Sequence, residues 1–133
     1  MEQPILRHGL IDTDIFIDAS RGIAQAGAFL NEMLRGTGVA LSVISVMEIY
    51  AGCHNNAHLT QVKELLLQFS VVPITEAISA QAQALMQSFT LSHGLLLPDA
   101  FIAATAIDSN IALYTRNIRH YKMIPELLII QPY

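Results

Sequence analysis

The sequence predicts an α/β domain, a three-layer α/β/α sandwich with a mainly parallel central sheet. Short apolar runs typical of buried parallel strands alternate along the chain with stretches whose apolar residues recur at helical spacing. The 133 residues are 53% hydrophobic and only 14% charged, a balance that favours a well-buried interior over disorder. Because the chain has no internal repeat and no low-complexity linker, we expect a single domain over residues 1–133.

Five segments are predicted as strands because each is short, apolar and bounded by turn-forming or acidic residues. They are residues 9–13, 39–44, 71–74, 111–115 and 127–130. The third of them contains Pro73, which has no backbone N–H to donate to a neighbouring strand. It therefore belongs at an edge or an end of the sheet.

The segments between these strands are predicted as helices. Helical spacing extends over residues 15–35, in two pieces with a break at Gly22, over residues 57–69, and over residues 76–93, where Gly94 stops it. A strongly apolar and therefore buried helix is predicted over residues 98–108, with Pro98 in its favoured first turn.

One more helix is predicted to start near Ser45, after the second strand. Ser45 and Glu48 have the spacing of a capping box, in which each side chain bonds a free backbone N–H of the first turn. This pattern explains both residues without any chemistry.

Composition excludes several classes of protein. Seven Lys and Arg against eleven Asp and Glu give a net charge of −4, so no strongly basic body is present to hold nucleic acid. The lone cysteine, Cys53, excludes an internal disulfide framework and a multi-cysteine zinc site, and it suits a reducing compartment. Without a long apolar run or a signal-type N-terminal segment, we expect a cytoplasmic protein that does not enter the membrane.

Acidic residues stand where the predicted strands stop and the helices begin. Asp12 and Asp14 end the first strand, Glu48 lies in the first turns after the second strand, and Asp99 opens the buried helix. Parallel α/β sheets bind ligands outside the carboxyl ends of their strands, so these acids are expected to converge. Clustered carboxylates repel one another unless a cation offsets their charge, and their oxygens favour Mg²⁺ or Mn²⁺.

Each acid also has a purely structural interpretation. Asp12 and Asp14 are suited to capping a helix after a strand, and Asp99 in a first helical turn complements the helix dipole. These interpretations stay open for each residue taken alone. The joint occurrence of the acids in apolar neighbourhoods, at equivalent places in the α/β order, favours the metal site.

Four motifs along the chain resemble those of the PIN-domain nucleases, and most of all the VapC-type ribonuclease toxins of bacterial toxin–antitoxin pairs. The motifs are LIDTD at 10–14, SVMEIYAG at 45–52, PDAFIAATA at 98–106 and TRNIRHY at 115–121. They occur in the family's order and at its spacing, and they cover nearly the whole chain. The resemblance implies Mg²⁺- or Mn²⁺-dependent cleavage of RNA, a cognate antitoxin as partner, and a homodimer.

By this resemblance, Asp12, Glu48 and Asp99 are the catalytic acids. Asp12 and Asp99 would hold the metal, with Glu48 binding it directly or through water. Family members usually carry a fourth acid, or a polar residue in its place, at the position of Asn117 or His120. Neither residue is acidic here, so a second metal position is left open, and Asn117 is assigned to the catalytic set as a residue that orders the site.

The resemblance and the charge pattern also nominate substrate-binding residues. They are Thr13, Asp14, Thr115, Arg116, Arg119 and His120. Asp14 stands where the family often has Asn, so its role stays open. Arg116, Arg119 and Lys122 form the only dense basic run, which either contacts RNA phosphate or is a solvated helix start.

Two other classes of function use the same residues. In one, the chain is an α/β interaction module whose acids only cap helices, with weak activity or none. In the other, the acids serve a metal-dependent phosphatase or a DNA nuclease.

Overall fold

The computed structural model describes residues 8–36 and 38–133, in which five short strands form one parallel sheet. The strands are β1 (Gly9–Ile11), β2 (Val39–Ser42), β3 (Ser70–Val72), β4 (Ala112–Tyr114) and β5 (Ile129–Ile130). Their order in the sheet is β3-β2-β1-β4-β5, and every neighbouring pair is parallel. The first strand is therefore central. Strand β3, which ends just before Pro73, lies at an edge of the sheet, as the missing N–H of this proline predicts.

Seven helices connect and flank the strands in the described part of the chain. They are α1 (Thr13–Ser20), α2 (Ala24–Leu34), α3 (Val43–Ala51), α4 (Asn56–Leu66), α5 (Glu76–His93), α6 (Leu97–Ser109) and α7 (Ile118–Tyr121). The predicted break between α1 and α2 is confirmed at Gly22, and the predicted stop of α5 at Gly94, both with positive φ. None of the described helices is both long and apolar enough to cross a membrane.

The helices cover both faces of the sheet. Successive side chains of the central strand β1 point to opposite faces, as the pleat of a strand requires. Leu10 belongs to a buried apolar cluster with residues of α5, α6 and α7, whereas Ile11 belongs to a second cluster with residues of α1, α2 and α4. The three-layer sandwich predicted from the sequence is confirmed.

The boundary between β2 and α3 differs from the prediction. Strand β2 ends at Ser42, and the Ser42 hydroxyl accepts the Ile44 N–H at 3.0 Å, so Ser42 caps a helix that already begins at Val43. Ser45 lies inside this helix and is fully buried. The capping-box interpretation of Ser45 and Glu48 is therefore wrong, because the serine three residues earlier does the capping.

The carboxyl ends of the strands place the acidic motifs side by side. Ile11 of β1 is paired in register with Tyr114 of β4, and the Asp12 N–H donates to the Tyr114 carbonyl oxygen at 2.9 Å. Asp12 and Thr115, which follow these two strands, therefore lie next to each other at one edge of the sheet.

Candidate active site

Asp12 is a buried acid that directly follows the central strand. It is 4% exposed and is the N-cap of α1. Its Oδ1 accepts the Thr13 N–H at 2.8 Å, and its Oδ2 accepts the Thr115 hydroxyl at 2.8 Å. The capping role considered from the sequence is correct, and it leaves the carboxylate fixed between two strand ends.

Asp14 lies two residues further on, in the first turn of α1. Its Oδ2 accepts the Arg116 backbone N–H at 2.8 Å and lies 3.3 Å from the Thr115 hydroxyl. The Asn117 N–H donates to the same hydroxyl oxygen at 2.9 Å. The Thr115 side chain therefore links Asp12 to Asp14, and the backbone N–H of Arg116, after β4, also holds Asp14.

Asp99 lies in the first turn of α6 and is held by the short helix α7. Its Oδ1 accepts the Tyr121 hydroxyl at 3.1 Å, and its Oδ2 lies 3.1 Å from Nδ1 of His120. Tyr121 is fully buried. Burial raises the pKa of the Tyr121 phenol, and the charges of Asp12 and Asp99 raise it further. The Tyr121 hydroxyl is thus close to both acids, which are 87 residues apart in the sequence.

Glu48 joins the site from α3, through a pair of hydroxyl groups. The Thr13 hydroxyl donates to Oε1 of Glu48 at 2.6 Å and lies 2.9 Å from the Ser45 hydroxyl. Glu48 itself is exposed, whereas Thr13 and Ser45 are buried. Glu48 therefore stands at the rim, tied to the buried Asp12 through the residue that follows it.

Burial and mutual repulsion make the acids of this site hard to ionise. The pKa of Asp12 is raised from 3.8 to about 7, mainly by burial and then by the charges of Asp14 and Asp99, although its bonds from Thr115 and Thr13 oppose the change. Burial also raises the pKa of Asp14. These acids are costly to ionise together unless positive charge lies close to them.

The donor set fits a hard divalent cation. Oδ1 of Asp14 is buried and has no hydrogen-bond partner among the described residues, so one carboxylate oxygen has a free bonding position. In the described ranges no three His, Cys, Asp or Glu side chains form a ready-made metal cluster. Mg²⁺ commonly binds one or two carboxylates and keeps several waters, so the buried Asp12 and the partly buried Asp99 together meet its needs.

The predicted substrate-binding residues differ in how they reach the site. Asp14 is itself an acid that Thr115 contacts, whereas Thr13, Thr115 and His120 contact the acids through their side chains. Arg116 does so through its backbone N–H, and its guanidinium lies 4.7 Å from the centre of the Tyr133 ring. Asn117 also contributes its backbone, and its side chain is exposed. Arg119 lies beyond the hydrogen-bonded network on the exposed side of α7.

Two residues of the network, Tyr121 and Ser45, were not assigned to the site from the sequence. Tyr121 stands three residues after Ile118, the spacing of one helical face, and a buried tyrosine usually finds a partner for its hydroxyl. That signal could have placed Tyr121 near an acid. Nothing comparable marks Ser45, because its partner Thr13 is 32 residues away.

An apolar groove with a volume of about 590 Å³ adjoins the rim of the site. It runs between α1, α3 and α4, where Phe16, Ile49 and Leu65 are among its lining residues. Glu48 also lines it, so the groove is continuous with the acidic site. Ile17 and Leu65 are apolar lining residues that remain exposed to solvent.

The chain is similar to proteins of known family. Residues 9–124 match the PIN domain. The chain is 34% identical to ribonuclease VapC10 of Mycobacterium tuberculosis over 119 residues. This aligned region covers 89% of each protein. It is 35% identical over 123 residues to ribonuclease VapC19 of the same organism, covering 89% of this chain and 95% of the relative.

A solved structure agrees with these sequence matches. The fold is similar to a chain of a toxin–antitoxin complex from Klebsiella pneumoniae, with a TM-score of 0.79 and 31% identity. The match covers 94% of this chain and 98% of the other.

Proposed function

Because this chain belongs to the PIN domain family, we propose that it is a divalent-metal-dependent endoribonuclease and the toxin of a VapBC-type toxin–antitoxin pair. The observation that carries the proposal is the convergence of three acids on two hydroxyl groups, with Thr115 linking Asp12 to Asp14 and Tyr121 close to Asp12 and Asp99. Relatives named as ribonucleases support RNA as the substrate. The lone Cys53 supports a reducing, cytoplasmic setting.

We assign Mg²⁺ or Mn²⁺ to this site. Asp12 and Asp99 would hold the ion, and Glu48 would contact it directly or through water. A bound divalent ion offsets charge on a phosphodiester and lowers the pKa of a bound water, which makes attack on phosphorus possible at neutral pH.

The hydroxyl groups of the chain keep the acids in place for this task. Thr115 and the Thr13 N–H each fix one oxygen of Asp12, so the carboxylate has a single orientation before any ligand arrives. Tyr121 and His120 do the same for Asp99. Such preorganisation lowers the cost of binding and of charge rearrangement during catalysis.

A digestion panel tests the substrate class. Purified protein is incubated with labelled RNA, with DNA of the same sequence and with a phosphomonoester, in Mg²⁺, in Mn²⁺ and in chelator. We expect internal cleavage of RNA that stops in chelator. Preferred cleavage of DNA or of the monoester would support the other hydrolytic functions, and no hydrolysis of any substrate would support an interaction module.

The partner proposed for this chain is an antitoxin protein that docks in the apolar groove. The similar Klebsiella structure is a toxin–antitoxin complex, and the groove on this chain is largely apolar, partly exposed and continuous with Glu48. An apolar protein segment would fill the groove and cover the rim of the active site.

Co-purification tests this partner. The chain is expressed together with the protein encoded by the neighbouring gene. An Ile17→Asp change at the groove should abolish their co-purification, whereas Leu91→Asp, at a fully exposed position away from the groove, should not. Retention of the partner by the Ile17 variant would contradict docking in the groove.

A further inference from the structure

A second cavity, with a volume of about 230 Å³, is lined by Asp99 of the acidic site and shares no lining residue with the groove at Glu48. It lies between the end of α5, the loop to α6 and the start of α7. Arg119 supplies it with positive charge, His93 and His120 add ring nitrogens that can form hydrogen bonds, and Leu95 and Leu96 make part of its lining apolar. An apolar lining beside a cationic group suits a ligand that carries both an apolar part and an anionic group.

The two imidazoles of this cavity are held in place by their neighbours. Nδ1 of His93 lies 2.7 Å from the Ser92 hydroxyl, and its ring packs edge-on against Phe89 with 5.7 Å between ring centres. Nδ1 of His120 lies 3.1 Å from Asp99. In both rings the second nitrogen, Nε2, has no hydrogen-bond partner among the described residues, so it remains available to a ligand.

Arg119 adds an uncommitted charge. It is exposed, and no acid of the described ranges forms an ion pair with its guanidinium. A guanidinium presents donors in a planar fork that matches phosphate oxygens. Arg119 can therefore bind a phosphate without first giving up another partner.

The apolar part of the cavity is only partly covered. Leu95 is buried at 4% exposure, but the adjacent Leu96 is 57% exposed and lines the same cavity as Arg119. A nucleobase or a ribose placed there would remove this leucine from water while its phosphate meets Arg119.

We infer that this cavity binds one nucleotide of the RNA strand, next to the phosphodiester that is cleaved, with its phosphate on Arg119 and His93 and its base or sugar on Leu96. Asp99 lines the cavity and belongs to the acidic site, so a strand bound here leads directly to the acids. That the nucleotide is part of a cleaved RNA rests on the proposed function; its binding in the cavity does not.

Nuclear magnetic resonance of the five histidines tests the binding directly. The metal-free protein, in chelator at fixed pH, is titrated with 5′-nucleoside monophosphates and separately with inorganic phosphate. We expect saturable shifts of the His93 and His120 ring signals, and none at His54 and His58, which line the other groove. The nucleotides should bind more tightly than inorganic phosphate because only they contact Leu96.

Two substitutions sharpen the test. Arg119→Gln should weaken nucleotide binding about tenfold, because it removes a charge-assisted contact, and Lys63→Gln, an exposed cation on α4, should leave it unchanged. Asp99→Asn should tighten binding in chelator, because it removes a negative charge from the cavity lining. The same Asp99 change should abolish cleavage if the proposed function is correct, so the two readouts move in opposite directions.

The outcomes separate this inference from the proposed function. On RNA, Arg119→Gln should raise KM and leave kcat unchanged, because the contact is equal in ground and transition states. No shift at His93 with saturating nucleotide would overturn the subsite even if RNA is cleaved, and equal binding of inorganic phosphate would overturn its nucleotide character. Saturable shifts without RNA cleavage would support the subsite and contradict the proposed function.

Discussion

Replacing Asp12 with Asn should change how the stability of the metal-free protein depends on pH. The pKa of Asp12 rises from 3.8 to about 7 on folding, mainly because the carboxyl is buried and then because of Asp14. Between these two values the folded state binds a proton that the unfolded state has released. The free energy of unfolding therefore falls as pH rises from about 4 to about 7, and it is lowest at higher pH.

The size of the effect follows from the same two values. At about 1.4 kcal/mol for each pH unit, the full change costs the folded state about 4 kcal/mol, and about 3 kcal/mol of it falls between pH 5 and pH 8. An asparagine carries no proton that titrates. Its carbonyl can still accept the Thr13 N–H and its amide can donate to the Thr115 hydroxyl, so Asp12→Asn keeps the contacts that hold the side chain.

Urea unfolding in chelator at pH 5 and pH 8 measures this difference. The unsubstituted chain should lose about 3 kcal/mol more stability between the two pH values than Asp12→Asn does. The matched control is Asp108→Asn, which removes an exposed acid at the end of α6 and should retain the pH dependence of the unsubstituted chain. Equal pH dependence in Asp12→Asn and the unsubstituted chain would show that burial of this carboxyl does not destabilise its charged form.

Further predictions concern packing, the closing motif and assembly. Gly9→Ala should lower the free energy of unfolding by about 1–3 kcal/mol, because a Cβ there would overlap the Tyr114 ring. Gly27→Ala, at an open position in α2, should raise it by about 0.4–1 kcal/mol. Thermal and urea unfolding measure both changes. Asn117→Asp should raise Mg²⁺ affinity in calorimetry, and unchanged affinity would mean that this side chain does not face the metal. His120→Ala should lower the rate of RNA cleavage only modestly compared with Asp99→Asn, which removes the acid that His120 contacts. An equal loss of rate in the two variants would contradict this minor role of the imidazole. Light scattering at micromolar concentration should give a dimer mass, with α2 and α4 as the expected contact faces, and a monomer mass with and without the partner would contradict it.

The fold was predictable because each signal for it is local. Gly22 and Gly94 adopt positive φ, which other residues rarely tolerate, so they mark helix ends in the sequence as they do in the structure. Pro98 lies in the first turn of α6 for an equally local reason, since its missing N–H costs nothing there. Alternation of these helices with short apolar runs then leaves few arrangements other than a parallel sheet covered on both faces.

The start of α3 was not predictable to the residue. Ser42 and Ser45 are both suitable caps, and the pattern of Ser45 with Glu48 is the stronger one by sequence. The structure uses Ser42, because β2 ends there and Ser45 is needed against Thr13, on a different helix. Competition between a local cap and a distant partner is decided by tertiary contacts, which the sequence does not display.

The acids of the site were predictable, but the hydroxyl groups that hold them were less so. Asp12 and Glu48 follow strands β1 and β2, and Asp99 opens the buried helix α6, so the acids mark element boundaries that the sequence displays. Tyr121 reaches Asp99 because the short helix α7 packs against α6, and α7 is too short to show a clear periodic pattern. The geometry of the site therefore depends on contacts between segments that are far apart in the sequence.

Cleavage of labelled RNA by matched variants, in Mg²⁺ and in chelator, tests the central claim most directly. The unsubstituted chain and the control Asp108→Asn should cleave in Mg²⁺ and stop in chelator. Asp12→Asn and Asp99→Asn, purified in the same way, should lose cleavage by several orders of magnitude while remaining folded, because each removes an acid assigned to the metal. Cleavage by either acid variant at the rate of the unsubstituted chain would contradict the assignment of the active site to these residues.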